Sequence, residues 1–571
     1  MRGKNTLVTS LINNNRFDKR SNKIYLLDDF SNLETKKGLK KNQIIEPYWT
    51  DNKFKGNKNI LIKYRFLLNQ LTKDLNNYHG TKYSKKFWEL LLGPWCITFI
   101  NRYLENYFGI KEFFKKKNFS FQFIKAKKNI FIPFDNKEFI IFTSNHYWQN
   151  YMTKMVIDDN FSEQVSQKKI NKKIIFDYSS MNKLYNFNFF ISKISLFLLK
   201  FSKILILNIP MSKFSKVKLF LKLNQFGKIF FENHYKVKKI KRNIFISKYK
   251  KSNKKLNNFI FNRLIENIPT MALENLNNLI SIIDKKYEKI NPSKILLTTG
   301  LVGNTEQLFF CALKKEKGSQ LIINQHGGRY NMLKNFWFEN YEKRISDQFI
   351  SWGKIGKENK KINYIGYPNS KILRHSNPDK LLIALSPNNT FVMYCENRTS
   401  RANKNFFQLF NKKFLDKLSN EIKKKYLIFR FKNNFQNLNL NYFTKKNLSI
   451  IKADRNKSFS KSVFKSKLVV TSTTSTVGLE TFASNIPTIL INDIYKVHYN
   501  RKTKAILNLL KKNNLYFDNF EEAANFINKN WDNIEHWWIL KKTQKAIDTF
   551  KKNYCYYDEN YSTKLFKFLK K

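Results

Sequence analysis

A regular alternation of short apolar runs with helical stretches begins near residue 291 and constrains the fold more than any other feature. The runs are continuous and end in polar turns, as buried parallel strands do. The predicted strands are 293–300, 320–328 (a strand and its loop), 347–353 and 362–368, and then, after a loop at 374–380, 390–396, 426–432, 448–454, 467–472 and 487–493. Two successive sets of such units predict an α/β protein with two doubly wound, Rossmann-like domains facing a cleft.

The first 290 residues are aromatic and rich in Lys and Asn, and their pattern is weaker. The predicted elements are strands at 5–11 and 137–145 and helices at 59–77 and 84–108. Two strongly apolar segments, 87–100 and 187–210, are predicted to be helices that face the core, because the first is too short to span a bilayer and the second contains three lysines. The alternative for 187–210 is a basic amphipathic segment on a membrane surface.

The formal charge of +64 raises the question of an anionic partner, either nucleic acid or membrane. Lysine is spread over the whole chain, and the other abundant residues (Asn, Ile, Phe and Tyr) also have AT-rich codons. Genome composition therefore explains much of the charge, and we expect no specific nucleic-acid partner. Weak attraction to anionic lipid or to a phosphorylated substrate still follows.

Targeting and cysteine signals favour a cytoplasmic protein. The N-terminus lacks the apolar core of a secretion signal. The cysteines are far apart and without CxxC spacing, which predicts reduced thiols and no metal site. They are Cys96, Cys311, Cys395 and Cys555.

A hydroxyl-rich loop, TSTTST at 471–476, follows the predicted strand of the KLVV run. Loops at this end of parallel strands are where ligands bind in open α/β sheets. The next helix offers unpaired N–H groups and a positive dipole end, which suit a phosphate, and Ser475 or Thr476 can cap it. Glu480 lies one turn beyond Thr476 on the same helix face, within reach of ribose hydroxyls. The alternative is a plain N-cap without a ligand.

Two further motifs follow predicted strands. In INQHGGRY, His326 can act as an acid or base or can hydrogen-bond a phosphate, and Gly327 and Gly328 allow a close backbone approach. In FRFKNN, Arg430 and Lys432 can clamp a diphosphate. The alternatives are a structural loop histidine and a solvated basic edge.

Several of these motifs resemble those of a known protein family. With QHGGRY, DQFISWG, SKLVVTSTTSTVGLETFASNIPTI and the tail 516–554, the sequence resembles the LIC12162 family of transferases, associated with O-antigen and surface-carbohydrate biosynthesis. More distantly it is similar to capsule-type transferases with the GT-B fold. The resemblance implies a GT-B pair of domains, with the donor in the C-terminal one. It also implies that the tail with Trp537 and Trp538 crosses back to the N-terminal domain.

The predicted domains are an acceptor-side Rossmann-like domain with helical insertions at 1–375, a nucleotide-sugar domain at 376–530 and bracing helices at 531–571. The predicted function is transfer of a sugar from a nucleotide-sugar to a lipid-linked or polysaccharide acceptor, without a metal ion or other cofactor and with peripheral contact to the inner face of the cytoplasmic membrane. The predicted donor site comprises Arg430, Lys432, Ser472, Thr474, Ser475, Thr476 and Glu480.

The identity of the catalytic base stays open at this point. His326 is the best-placed candidate, and the alternatives are the acids Asp28, Asp29 and Asp51 in the N-terminal part. Three other functions are compatible with the sequence. They are a CDP-glycerol-type polyol-phosphate transferase, a sugar-nucleotide epimerase and a basic nucleic-acid-associated protein.

Overall fold

The computed structural model describes most of the chain. The described residues are 5–8, 24–27, 44–45, 55–114, 119–124, 129–143, 145–170, 189–229, 231, 242–298, 304–334, 336–354, 360–368, 371–385, 409–430, 458–491 and 498–571. The predicted strands 390–396 and 448–454, Lys432, Cys395 and the acids Asp28, Asp29 and Asp51 lie outside them.

Three five-stranded sheets, in which every strand pair is parallel, organise the described residues. Sheet 1, in the order β3-β2-β1-β4-β5, contains β1 (Asn5–Val8), β2 (Ile24–Leu27), β3 (Ile44–Ile45), β4 (Phe119–Ile124) and β5 (Ser166–Ile170). Sheet 2, in the order β10-β9-β8-β7-β6, contains β6 (Ile204–Asn208), β7 (Lys294–Thr298), β8 (Gln320–Asn324), β9 (Gln348–Ser351) and β10 (Ile362–Tyr364). Sheet 3, in the order β12-β11-β13-β14-β15, contains β11 (Lys380–Ala384), β12 (Leu427–Phe429), β13 (Ser466–Ser472), β14 (Thr488–Ile491) and β15 (Tyr516–Phe517).

Helices cover these sheets. Those before sheet 3 are α1 (Lys55–His79), α2 (Lys85–Phe114), α3 (Asn136–Thr143), α4 (His146–Asn160), α5 (Phe189–Leu199), α6 (Lys213–Lys222), α7 (Asn243–Tyr249), α8 (Leu256–Asn267), α9 (Leu276–Tyr287), α10 (Thr305–Glu316) and α11 (Trp337–Ile345). Those from sheet 3 onward are two π-helical segments (Phe410–Leu415 and Ile422–Tyr426), α12 (Phe459–Phe464), α13 (Thr476–Ala483), α14 (Arg501–Lys512), α15 (Phe520–Asn530), α16 (Ile534–Ile539), α17 (Lys541–Tyr554) and α18 (Tyr561–Lys570).

The α/β class and its parallel sheets confirm the predicted fold class, and most predicted elements are present. The strand predicted at 137–145 is wrong, because this segment forms α3. Phe139 and Phe142 are buried at helical spacing, and the Asp135 carboxylate accepts a hydrogen bond from the Glu138 N–H in the first turn. A short apolar run does not by itself distinguish a buried strand from a buried helix.

Of the two strongly apolar segments, only the first forms the predicted buried helix. The segment 87–100 lies in α2 and is buried, as predicted. The segment 187–210 is not one helix, because α5 ends at Leu199 and β6 begins at Ile204, and the outer side of α5 is exposed. Among the described residues, no helix is both long and apolar enough to cross a membrane.

Sheets 1 and 2 share a large apolar core with the helices around them. The N-terminal part therefore contains a parallel sheet of which the sequence pattern indicated only β1. A second core surrounds sheet 3 and includes α13 to α17. Trp537 and Trp538 belong to this second core, where their indole N–H groups donate to the backbone oxygens of Asn513 (3.1 Å) and Asn485 (3.2 Å).

The C-terminal tail crosses back to sheet 2 through α18, as predicted, but Trp537 and Trp538 take no part in the crossing because they stay in the core around sheet 3. Leu565 and Leu569 are fully buried in one apolar cluster with Leu296, Ile322 and Ile350, which lie on three strands of sheet 2. Helix α6 covers the same face beside α18. A parallel sheet is normally covered on both faces, and α18 together with α6 covers the face of sheet 2 that is opposite the large core.

Candidate functional site

Strand order places the hydroxyl-rich loop at a topological switch point. In sheet 3 the chain goes from β11 to β12 on one side and then to β13 on the other. The crevice outside the carboxyl ends of two such strands is the usual ligand position in open α/β sheets. Thr471, near the end of β13, pairs with Ala384 at the end of β11, so residues 471–476 form one wall of that crevice.

Three hydroxyls of this loop hold its shape. The Thr471 hydroxyl donates to the Ala384 oxygen and the Thr473 hydroxyl to the Ile491 oxygen, each at 2.8 Å, which ties the loop to the neighbouring strands β11 and β14. The Ser475 hydroxyl accepts from the Val477 N–H at 3.0 Å and caps α13. The predicted cap is therefore Ser475. Ser472 and Thr474 are buried within the same loop.

The glycine-bearing and hydroxyl-bearing motifs meet directly. The Gly328 N–H donates to the Thr476 hydroxyl at 3.1 Å. A Cβ atom at Gly328 would overlap the Thr474 backbone oxygen, so only glycine allows this approach. The sequence predicted that a ligand approaches the backbone at these glycines, but in the structure the backbone of the hydroxyl loop occupies this space. The close approach joins the end of β8 in sheet 2 to the switch point of sheet 3.

His326 is held by a tyrosine and a buried glutamate. Its Nδ1 lies 2.7 Å from the Tyr330 hydroxyl, which donates to Glu342 Oε2 at 2.6 Å. With the single Tyr330 proton assigned to the carboxylate of Glu342, the hydrogen bond to His326 assigns the tautomer in which Nδ1 is protonated. The neutral imidazole then has its lone pair on Nε2. With 29% of its side chain exposed, His326 is placed to accept a proton from a bound group.

Gln325 fixes the turn that carries His326. Its side chain is buried, donates to the Gly327 oxygen at 2.9 Å and accepts from the Trp352 N–H at 3.0 Å. Arg329 and Asn331 then adopt left-handed backbone conformations, with φ of 77° and 61°. The loop is therefore built to hold one conformation rather than to be a flexible connection.

Glu480 lies on α13, one turn from Thr476, as predicted. Burial raises the pKa of its carboxyl to about 7, and a hydrogen bond from Tyr367 opposes that rise. Tyr367 follows β10, and its backbone N–H donates to the Tyr556 oxygen at 2.7 Å. Glu480 is thus in contact with the segment where the C-terminal tail leaves sheet 3 for sheet 2. Its carboxyl changes charge near neutral pH.

Arg430 follows β12, two strands from β13 at the same sheet edge. Its Nη1 donates to the Ser462 hydroxyl at 2.8 Å, and its guanidinium lies 6.0 Å from the centre of the Phe459 ring. Arg430, one of the two residues of the predicted diphosphate clamp, is therefore hydrogen-bonded to α12. Lys432, the other half of that prediction, is outside the described residues, so the diphosphate role stays a prediction.

A cavity of about 440 Å³ begins where the His326 loop ends and lies between the start of α11, the start of α14 and the end of α17. Within the described part of the chain, Lys354 and Arg501 have no carboxylate partner. Burial, and then the positive charges of Lys354 and Lys552, lower the pKa of Lys502. The lining residues are Asn331, Leu333, Lys334, Phe336, Glu339, Asn340, Lys354, Asn500, Arg501, Lys502, Asn553 and Tyr554. The charge and the amides of this cavity suit an anion.

Sequence reasoning missed three residues that shape this site: Gln325, Tyr330 and Glu342. Gln325 and Tyr330 lie inside the INQHGGRY motif, so their nearness to His326 was a usable signal. Glu342 is on α11, 16 positions after His326, and no local pattern connects the two. No group of three or more His, Cys, Asp or Glu residues suited to a metal ion occurs among the residues described. Metal-independence stays a prediction.

The fold and the site define an α/β protein with parallel sheets in which a histidine loop and a helix-capping hydroxyl loop meet at a sheet switch point. A family model, that of the LIC12162 family transferases, matches residues 6–569, and the chain belongs to this family. It is therefore a member of a transferase family. No curated protein matches the chain.

The solved structures that match the chain include transferases of several kinds. The wall teichoic acid polymerase TagF is 12% identical over 50% of this chain and 74% of its own, with a TM-score of 0.28. MurG from Acinetobacter baumannii is 9% identical over 52% and 79%, with a TM-score of 0.29. The spinosyn forosaminyltransferase SpnP is 7% identical over 65% and 100%, with a TM-score of 0.32.

Proposed function

We propose that this transferase is a glycosyltransferase that moves a sugar from a nucleotide-sugar donor to a surface-polysaccharide or O-antigen precursor. The single observation that carries the proposal is the direct contact between the His326 loop and the hydroxyl loop at the switch point of sheet 3. This contact supports the proposal because it sets the loop that carries His326, the proposed proton acceptor, beside a helix N-terminus of the kind that suits a phosphate.

In the proposed donor site, the phosphates lie against Thr474, Ser475 and Thr476. The N-terminus of α13 then adds unpaired N–H groups and a favourable dipole. The ribose lies near Glu480, one turn along the same helix. As the sugar leaves, negative charge grows on the diphosphate, and the helix terminus together with Arg430 stabilises it without requiring a metal ion.

In the proposed chemical step, an acceptor hydroxyl attacks the anomeric carbon of the donor sugar. A new C–O bond forms to the acceptor, the bond between the anomeric carbon and the diphosphate oxygen breaks, and the nucleoside diphosphate departs with the bonding electron pair. The acceptor proton moves to Nε2 of His326. The positive imidazolium is then stabilised through Tyr330 by the buried carboxylate of Glu342.

The location of this reaction is also part of the proposal. Precursors of surface polysaccharides that are built on lipid carriers require an enzyme at the inner face of the cytoplasmic membrane. We therefore place this chain in the cytoplasm, with reversible peripheral contact to anionic lipid. The basic cavity beside the His326 loop supports an anionic substrate, either the donor diphosphate or a phosphate of the acceptor.

A donor panel tests the proposal. Thermal shifts are measured with UDP-, GDP-, CDP-, dTDP- and CMP-sugars and with CDP-glycerol, and active donors are then incubated with and without acceptor. A glycosyltransferase should be stabilised by a nucleotide-sugar and should transfer the sugar only when an acceptor is present. Stabilisation by CDP-glycerol alone would indicate polyol-phosphate transfer, and turnover of a sugar nucleotide without acceptor would indicate an epimerase. Either result would overturn the proposal.

A further inference from the structure

A long segment around β6 combines large apolar residues with lysines and contains no acid. Between Asp177 and Glu232 the chain has nine lysines and no Asp, Glu or Arg. This is unusual even here, where 42 acidic residues accompany 106 basic ones. The described part of this segment forms α5, β6 and α6.

Helix α6 is apolar on two opposite sides. Its inner side buries Leu219 against sheet 2. On the outer side Phe214, Val217 and Leu221 are 80%, 58% and 56% exposed. Their spacing of three and four residues puts them on one face of the helix. A surface helix of a protein surrounded only by water would place polar residues on that face.

Helix α5 and the turn after it repeat the pattern. Ile194, Phe197 and Phe201 have the same spacing of three and four residues and are 46%, 56% and 69% exposed. Lys200 extends along this face, with Nζ 4.7 Å from the centre of the Phe197 ring. A lysine that covers an aromatic ring while keeping its ammonium at the surface is typical of an interface between an apolar phase and water.

Helices α5 and α6 lie on opposite faces of sheet 2, because Leu199 of α5 belongs to the large core of sheets 1 and 2, whereas Leu219 of α6 belongs to the cluster with Leu565 and Leu569. The Ser195 hydroxyl donates to the Lys228 oxygen at 2.8 Å, and the Lys228 N–H donates back to that hydroxyl at 2.6 Å. A Cβ atom at Gly227 would overlap the Ser195 backbone oxygen, so the loop after α6 packs directly on α5. Phe226, in this loop, is 56% exposed. We call the exposed stripe of α6 the α6 face; its apolar residues are Phe214, Val217 and Leu221.

We propose that the α6 face docks on an anionic lipid bilayer, with its apolar side chains at headgroup depth and the neighbouring lysines among the lipid phosphates. Lys213 and Lys218 flank the outer stripe of α6 on either side, as in helices that lie in the membrane interface. Charge complementarity selects this occupant over a second copy of the chain, because two faces rich in lysine and free of acids repel each other.

Docking in this way would present the candidate site to the membrane. Helix α6 begins at Lys213, shortly after β6 ends at Asn208. Strands β6 and β8 are parallel and end at the same edge of sheet 2, so Phe214 lies at the edge from which His326 follows. This orientation rests on the proposed function, because it places His326, the proposed proton acceptor, near a lipid-linked substrate that receives the sugar. The docking itself does not depend on it.

The test is co-sedimentation with phosphatidylcholine vesicles and with equimolar phosphatidylcholine–phosphatidylglycerol vesicles, in low and in molar salt, without donor or acceptor. The wild type should bind the anionic vesicles in low salt. Phe214→Ser/Val217→Ser/Leu221→Ser should weaken that binding at least about tenfold, and Lys213→Gln/Lys218→Gln should weaken it by about the same factor and reduce its salt dependence.

A matched control removes three equally exposed apolar residues elsewhere. Ile244, Leu373 and Ile539 are 72%, 77% and 68% exposed, and their triple change to Ser should leave vesicle binding unaltered. Thermal melts show that each variant is folded, and light scattering gives its oligomeric state. Lipid docking would be overturned if the wild type does not bind anionic vesicles or if the α6 variant binds them as well as the wild type does. It would also be overturned if the α6 variant loses a dimer that the wild type forms. A failure of docking would leave donor binding and sugar transfer intact, so it is distinct from a failure of the proposed function.

Discussion

At the scale of single residues, the tautomer of His326 links the structure to the proposed chemistry. With the Tyr330 proton assigned to Glu342, Nδ1 of His326 is protonated and Nε2 is the basic nitrogen. We expect His326→Ala to lower kcat by about 10²- to 10⁴-fold with little change in donor affinity. Tyr330→Phe keeps the ring but breaks the connection to Glu342, and kcat should fall roughly tenfold while donor KM stays the same.

Steady-state kinetics with both substrates varied would distinguish these roles. A rise of donor KM in His326→Ala would place the imidazole on the donor phosphate instead. Turnover and binding close to wild type would make His326 a structural loop residue. Phe338, which meets the His326 ring edge-on at 5.3 Å, gives a packing control, because Phe338→Leu removes an aromatic contact and leaves the hydrogen-bonded network in place.

Glu480 predicts a pH dependence of stability. Its pKa is raised to about 7 in the folded protein, so between its ordinary value of 4.5 and pH 7 the folded state binds a proton that the unfolded state has released. The free energy of unfolding therefore falls as the pH rises through this range, by roughly 2–3 kcal/mol for this group. Glu480→Gln should be more stable than the wild type near pH 8 by about that amount and similar to it at the lower end of the range. Urea unfolding of both proteins at the two pH values is the measurement.

The same substitution also tests ligand contact. If Glu480 binds the ribose, Glu480→Gln should weaken nucleosides and nucleotides by the same factor, because both carry that sugar. If the variant is more stable but its nucleoside affinity is unchanged, Glu480 affects the pH dependence of stability and does not bind the ribose.

At the scale of elements, the loop between β13 and α13 has two tasks. Ser475 caps α13 and Thr476 accepts from Gly328, so Ser475→Ala/Thr476→Ala removes a cap and a contact between the loops of sheets 2 and 3, as well as the proposed phosphate donors. Each hydrogen bond to a charged oxygen contributes about 1.5–3 kcal/mol, so nucleotide affinity should fall at least about tenfold, while the lost cap costs about 1 kcal/mol of stability. Calorimetric titration with the active nucleotide measures the first effect and thermal unfolding the second.

A second cap provides the control for this experiment. Ser458 caps α12 by accepting from the Lys461 N–H, so Ser458→Ala removes a similar bond outside the hydroxyl loop. It should lose comparable stability and keep nucleotide affinity. Equal nucleotide affinity in the Ser475→Ala/Thr476→Ala variant and the wild type would show that the hydroxyls only shape the loop.

At the scale of the whole molecule, the sequence predicted local chemistry better than long-range arrangement. Continuous apolar runs identified β7 to β10 and β12 to β14, since buried parallel strands look alike wherever they occur. The central strand β11 was not predicted, because its short run directly follows a polar loop and its position depends on distant partners. Leu381 pairs with Leu427 of β12 on one side and with Leu468 of β13 on the other.

The candidate site shows the same limit. Gln325 and Tyr330 lie within a recognisable motif, whereas Glu342 reaches His326 only because α11 packs beside β8. Contacts between distant segments leave no local pattern in one sequence. This is also why β2 to β5 of sheet 1 were not predicted.

The C-terminal helix makes a prediction for the molecule as a whole. Leu565 and Leu569 of α18 are fully buried against sheet 2, although the chain reaches α18 only after completing sheet 3. Leu565→Ala/Leu569→Ala should cost about 2–5 kcal/mol per residue, because each change leaves a cavity, and the loss should fall on the part that contains sheet 2. We expect the variant to unfold at lower urea, with sheet 2 melting first, while nucleotide binding by sheet 3 persists. Lys567→Ala, on the exposed side of the same helix, is the control and should behave as the wild type. Calorimetry with and without nucleotide would separate the two transitions. A single transition with unchanged midpoint in the double variant would mean that α18 rests on sheet 2 without stabilising it.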